Sequence, residues 1–284
     1  MIDTDLSKAL QDKIMQSPAY QLAYEDPDLM AEDDLRPLRL QMELLKPERI
    51  LHEHGINSTV VVFGSARTIS LEQAQQRLKQ AERPLADTPG NEDAQKALNV
   101  AIRQHRQARY YEQARRFAAL VSKRFQKKER RDFVVVTGGG PGIMEAANRG
   151  AFEMEARSIG LNITLPHEQK PNPFITPELA FRFHYFALRK MHFLMRAKAL
   201  VAFPGGFGTF DELFEALTLI QTRKMQCIPV VLFGAEFWQQ AINFDFLISE
   251  GVIAAKDRDL FTFVETAEQA IDVLQDFYQG KPPQ

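Results

Sequence analysis

The sequence predicts an α/β fold, and three observations lead there. Short apolar runs alternate with longer segments of helical periodicity along most of the chain. The apolar runs are continuous rather than alternating, as in parallel strands buried on both faces. Three of them, Thr59–Phe63, Phe133–Val136 and Leu200–Phe203, run into loops made of small residues. Such units build a Rossmann-like parallel sheet with helices on both faces. The remaining sequence adds an N-terminal helical extension and a helical insertion.

Residues 1–57 form the expected extension. Leu35 to Leu51 has the pattern of an amphipathic helix broken near Pro47, and Asp26-Pro-Asp28 and Glu32-Asp-Asp34 are acidic turn material. His52 and His54 have no further ligand cluster and are expected to be surface residues. The segment Met1–Lys8 lacks the basic and apolar regions of a signal peptide, so a cytoplasmic location is expected.

The sheet domain is expected over 58–284. Thr59–Phe63 is its first strand and Gly64-Ser65-Ala66-Arg67 its first loop. An insertion at about 69–110 follows. Ser70 to Ala81 is helical, Pro84, Pro89 and Gly90 break the pattern, and Asn91 to Lys127 reads as one long helix or two with a kink. Tyr111–Val121 carries the apolar stripe of a helix packed on a sheet. Residues 69–110 are more polar and are predicted to project as a hairpin. The charge run Arg103–Arg109 lacks interleaved aromatics and reads as a solvated face, which argues against a nucleic-acid partner.

Phe133–Val136 is the second strand, Ile143–Arg157 the helix after its loop, and Ile159–Leu165 the third strand. The loop Pro166–Pro177 is too long for a plain connection. It is either a base-recognition or lid element or a rigid surface excursion. From Tyr185 the pattern is helical and brings Phe186, Arg189, Lys190 and Phe193 close to one face. Leu200–Phe203 is the central strand, ended by Pro204. A helix is predicted from Thr209, with Thr209 as its N-cap and Glu212 placed as a capping-box carboxylate. Ile228–Phe233 is a further strand, Phe237–Ser249 a helix with the only tryptophan, Leu260–Val264 the last strand and Ala267–Tyr278 a closing helix.

Composition narrows the function classes. The chain of 284 residues is 45% hydrophobic and 25% charged, with a net charge of −2. That balance provides no general attraction to nucleic acid or to an anionic membrane. No apolar run approaches the roughly 18–20 residues needed to span a bilayer. Cys227 is the only cysteine, which excludes an intrachain disulfide and a cysteine-based metal cluster.

The chemistry sits in the glycine loops. A glycine loop leading into a helix exposes backbone N–H groups beside the positive end of the helix dipole, a ready phosphate site. Gly138, Gly139, Gly140 and Gly142 form one such loop, and Gly205, Gly206, Gly208 and Thr209 another. Ser65 belongs to the weaker third copy. In a parallel sheet all three emerge at the carboxyl edge, where ligands of open α/β sheets bind. Glu212, one helical turn on, can reach a ribose attached to that phosphate.

Pro204-Gly-Gly-Phe-Gly-Thr-Phe-Asp-Glu212 resembles the PGGxGTxxE motif of the LOG ("lonely guy") family. Its members are nucleoside 5′-monophosphate phosphoribohydrolases, often mislabelled lysine decarboxylases. The Gly138–Gly142 loop and Arg189-Lys190 fall where that family has its other signatures. The resemblance covers about Thr59–Arg67 and Asp132–Met225. It implies hydrolysis of the N-glycosidic bond of a purine-type nucleotide, AMP or a cytokinin riboside monophosphate, to free base and ribose 5-phosphate. It further implies Glu212 and Arg189 as the catalytic pair, Lys190 among the substrate-binding residues, and a homo-oligomer, dimer or larger. No cofactor or metal is expected. Phe186-Ala187-Leu188 stands where plant-type members have Met-His, which leaves the base open. The alternative is a non-catalytic nucleotide or phosphorylated-cofactor binder of the molybdenum-cofactor-carrier kind.

Overall fold

The computed structural model describes residues 4–87, 91–127, 130–164, 170–281 and 283. The chain divides into two compact units, residues 1–48 and 49–284. The first is helical, with α1 (Thr4–Met15), α2 (Pro27–Ala31) and most of α3 (Arg36–Glu53). Asp26 caps α2 by accepting the N–H groups of Asp28 and Leu29, each at 3.0 Å. Arg39 donates to the carbonyls of Met30 and Glu32 at 2.6 and 2.7 Å, which ties α3 to the acidic turn. The helix runs through Pro47 rather than breaking there.

In the second unit β1 (Thr59–Phe63) is followed by α4 (Leu71–Asp87) and α5 (Glu92–Phe125). Then come β2 (Val134–Thr137), α6 (Ile143–Phe152), β3 (Ser158–Ile163), β4 (Ala180–Phe183), α7 (Phe186–Met195) and β5 (Ala197–Ala202). The chain closes with α8 (Phe207–Gln221), β6 (Val230–Phe233), α9 (Ala235–Ala241), α10 (Phe244–Ser249), β7 (Thr262–Val264) and α11 (Ala267–Phe277). Among the described residues the strands form one all-parallel sheet in the order β4-β3-β2-β1-β5-β6-β7. No described helix is long and apolar enough to cross a membrane.

The sheet is covered on both faces because its central strands β1, β2, β5 and β6 are mostly apolar and buried at all positions but Lys198. Neighbouring residues of a strand point to opposite sides. Val60, Val62, Val135, Val201 and Phe203 share one core with α5, α6 and α11. On the other side Phe63 meets Phe193 of α7 edge-on, with ring centres 4.9 Å apart. The edge strand β4 escaped the sequence reading. It is four residues long, and its exposed and buried positions alternate, so it lacks the continuous apolar signal of the interior strands.

The polar segment after β1 forms a pair of helices. The helix α4 continues through Pro84 and packs on α5. The helix α5 is a single helix of 34 residues, so its polar first half and its sheet-packed second half are continuous. Tyr110 and Tyr111 join the main core, and a Cβ on Gly234 would lie 2.4 Å from the Tyr110 hydroxyl oxygen. The expected helix Phe237–Ser249 is two helices. Asn243 starts the second by accepting the Phe246 N–H at 2.9 Å.

Close approach of α5 and α6 depends on one glycine. A Cβ on Gly150 would lie 2.0 Å from the Arg115 carbonyl oxygen, and Ala114 and Ala118 of α5 are fully buried. Backbone cannot yield as a flexible side chain can, so Gly150→Ala should push the helices apart. Overpacking of this kind costs about 1–3 kcal/mol or more, and urea denaturation of the variant should show at least that loss.

Candidate active site

The direction of winding reverses between β1 and β5. From β1 the sheet grows through β2 to β4, and from β5 through β6 to β7. At such a reversal the connecting helices leave to opposite faces, and a crevice opens beyond the carboxyl ends of the strands. Here it is a cavity of about 980 Å³. The loop after β1, Gly138, one face of α7 and the segment Pro204–Glu212 line it, joined by Gln107 and Tyr110 of α5 and Phe237 of α9.

Backbone hydrogen bonds fix the loops to one another. Ser65 donates its N–H to the Pro204 carbonyl, and Ile143 donates to the Ser65 carbonyl, both at 3.1 Å. Gly142 has φ +74°, and a Cβ there would lie 2.3 Å from the Ser65 carbonyl oxygen. Only glycine meets both demands.

The Gly138–Gly142 loop is also held from behind. Thr137 donates its hydroxyl to Asn148 at 2.7 Å and accepts the Gly139 N–H at 3.0 Å. Asn148 donates to Ser158 at 3.0 Å and accepts from Asn172, also at 3.0 Å. Asn172 donates its backbone N–H to the Gly139 carbonyl and its amide to the Gly140 carbonyl. The sequence reading missed this buried network. Its one signal was Asn148, a polar residue on the otherwise apolar stripe of α6. Asn172 lies in the loop expected to recognise a base. Residues 166–169 of that loop, and Leu165 before it, are outside the described residues. Its described part braces the glycine loop and does not line the cavity.

The start of α8 differs from the expectation. Its N-cap is Gly206 and the helix opens at Phe207, so Thr209 is its third residue. The Thr209 N–H already donates to the Gly206 carbonyl at 2.9 Å. No capping box forms, and Glu212 lies a turn deeper in the helix. The Phe207 and Gly208 N–H groups precede the first intrahelical bond and have no acceptor among the described residues. A Cβ on Gly206 or Gly208 would meet nothing within 4 Å. Bare backbone therefore faces the open cleft at the positive end of a helix.

Glu212 lines the same cleft yet is only 7% exposed, and its Oε2 has no hydrogen-bond partner among the described residues. Burial pushes its carboxyl up to about 7, against the opposing pull of the Lys190 and Arg189 charges. Arg189, also lining the cleft, donates Nε–H to the Leu161 carbonyl at 2.7 Å and lies 5.1 Å from the centre of the Phe193 ring. Burial lowers its pKa and the Glu212 charge opposes that, but a guanidinium remains protonated at neutral pH.

The expected site residues thus separate into two groups. Ser65, Gly138, Arg189, Gly205, Gly206, Gly208, Thr209 and Glu212 line one cleft. Gly139, Gly140, Gly142 and Lys190 are not among its lining residues. Lys190 turns to α8, where it pairs with Asp211 at 2.9 Å and Glu215 at 3.1 Å. Among the described residues no group of three or more His, Cys, Asp or Glu side chains could hold a metal ion.

Comparison with known proteins bears out the resemblance read from Pro204–Glu212. Residues 144–274 match a family described as "Possible lysine decarboxylase". A cytokinin riboside 5′-monophosphate phosphoribohydrolase of Arabidopsis thaliana is 25% identical over 156 residues, covering 54% of this chain and 71% of that protein. A pyrimidine/purine nucleotide 5′-monophosphate nucleosidase of Escherichia coli is 29% identical over 119 residues, covering 37% of this chain and 25% of its own length. A solved structure of a molybdenum cofactor binding protein from Rippkaea orientalis aligns with a TM-score of 0.45 at 17% identity, over 78% of this chain and 96% of that one.

Two consequences can be measured. With a folded pKa of about 7 against an ordinary 4.5, Glu212 holds its proton longer in the native state. Its ionisation then costs nothing below pH 4.5, where it stays protonated. The cost grows as pH rises through that window and reaches about 3 kcal/mol above pH 7. Glu212→Gln should therefore melt several degrees above the parent protein at pH 8 and close to it at pH 4.5. Gly206→Ala and Gly208→Ala should leave the melting temperature unchanged, since their methyls meet no protein atom. They should weaken binding of a phosphorylated ligand by ~10-fold, the loss of one charge-assisted hydrogen bond, as read by calorimetry.

Proposed function

We propose that the protein hydrolyses the N-glycosidic bond of a purine nucleoside 5′-monophosphate, releasing free base and ribose 5-phosphate. The observation that carries this reading is Glu212, a buried and incompletely hydrogen-bonded carboxylate in a cleft that also holds free helix N–H groups. A buried polar atom without a partner costs stability, and a bound ribose and its water would supply the partners. The similar proteins from Arabidopsis and Escherichia coli are named for cleavage of nucleoside 5′-monophosphates, which supports the same substrate class here. Phe186 and Phe207, exposed aromatic faces at the cleft, suit a flat purine.

The chemistry follows from charge. As the bond between C1′ and the base nitrogen breaks, the electron pair leaves with the base and positive charge develops on the ribose. The Glu212 carboxylate opposes that charge and accepts a proton from the water whose oxygen bonds to C1′, and that proton passes on to the departing base, restoring the carboxylate. Arg189 and Lys190 favour the ionised form of Glu212, and Arg189 fixes the substrate against it. The 5′-phosphate, held by the N–H groups of Phe207 and Gly208 and by the Gly138 loop, orients C1′. General base help is worth only ~10²–10⁴-fold, so that positioning supplies much of the remainder.

Incubation with AMP should release adenine and ribose 5-phosphate. Glu212→Gln should retain AMP binding and lose turnover by at least ~10²-fold. Because the carboxylate form acts, kcat/KM should fall as pH drops below about 7, the value to which burial moves Glu212. Adenosine should be a poor substrate in kcat as well as KM, since phosphate binding energy is used to orient the ribose. Cleavage of adenosine as fast as AMP, or release of inorganic phosphate from AMP, would overturn the assignment. Tight AMP binding without base release would instead indicate a nucleotide carrier.

A further inference from the structure

One basic side chain in the cleft has no role in the chemistry above. Arg67 belongs to the loop after β1 and lines the cavity. The loop around it is fixed: the Arg67 backbone N–H donates to the Ser65 hydroxyl at 3.1 Å, and Thr68 is buried. The guanidinium itself has no ion pair or hydrogen bond among the described residues.

Two other charged side chains of the lining have partners. Asp211 pairs with Lys190 at 2.9 Å. Arg189 is held by the Leu161 carbonyl and lies in the field of Glu212. Arg67 is left as the lining cation without a counter-charge, on the loop that bonds directly to the Pro204 carbonyl at the head of the α8 loop. A guanidinium presents two parallel N–H groups that match a phosphate, and it stays charged at every physiological pH. The free N–H groups of Phe207 and Gly208 donate hydrogen bonds but carry no full charge.

We propose that Arg67 is a phosphate-binding residue of this cleft and grips the 5′-phosphate of the nucleotide together with the start of α8. This rests on reading the cleft as a nucleotide site, and the experiment separates the two. Ribose 5-phosphate and inorganic phosphate are titrated calorimetrically into the full chain, into Arg67→Ala and into Arg67→Lys, and base release from AMP is followed in parallel. Arg67 lies in an exposed part of its loop, and circular dichroism melting confirms that each variant is folded.

Arg67→Ala should weaken ribose 5-phosphate by roughly 10–100-fold, the range expected for hydrogen bonds to a charged group. Arg67→Lys should recover part of it as a point charge. The KM for AMP should rise by a similar factor, and adenosine affinity should be unchanged. Unaltered ribose 5-phosphate affinity in Arg67→Ala, with AMP turnover intact, would overturn the role of Arg67 and leave the nucleotide reading standing. An equal loss for adenosine would also overturn it, by showing a role in shaping the cleft. So would a loss confined to ADP, which would place the guanidinium at a second phosphate. If the parent protein releases no base from AMP, the proposed function fails, and the phosphate titrations still decide Arg67.

Discussion

The parallel pairing of β1 with β5 is the constraint on which the cleft depends. The two strands are far apart in sequence, and their connections lead to opposite ends of the sheet. Loops that leave adjacent strands in opposite directions cannot cover the gap between them, so a crevice forms there. The Ser65–Pro204 and Ile143–Ser65 backbone bonds then join three loops at that gap. Gly142 has to be glycine for the same reason: the β1 loop passes directly against it.

Within the crevice the electrostatics are unbalanced by design of the packing. Glu212 is buried, and burial, aided by the Glu215 and Asp211 charges, lifts its proton affinity into the neutral range. The nearby cations offset only part of this. Lys190 acts by its charge from outside the lining, where it pairs with Asp211 and Glu215 of the same helix as Glu212. A purely structural site would have paired such a carboxylate or replaced it, since an underpaired buried charge is destabilising. Retaining it where helix N–H groups also lack acceptors is the pattern of a ligand site.

The polar region after β1 contributes to the same cleft. Arg67, Gln107 and Tyr110 line it, although all three precede the residues matched by the family comparison. The helix α5 reaches the cleft because it is continuous: its second half is anchored on the sheet and its first half is carried rigidly past Gly234.

The sequence by itself determined the layers and the edge at which the site lies. Continuous apolar strands require helices on both faces, and glycine loops after parallel strands converge on one edge; both are local signals that repeat along the chain. Glu212, Arg189 and the Gly205–Thr209 loop were legible for the same reason, as residues within one short motif or at fixed helical spacing. Tertiary structure decided what local pattern cannot carry. The edge strand β4 was too short to signal, and the start of α8 at Phe207 was set by the Gly206 backbone rather than by a capping side chain. The Thr137–Asn148–Ser158–Asn172 network joins residues from four separate segments, and Lys190 was turned from the cleft by two carboxylates on a neighbouring helix. Burial, hydrogen-bond partners and charge compensation are properties of the assembled neighbourhood. They fix the proton affinity of Glu212 and the lack of a partner at Arg67, and they exist only once the strands have paired.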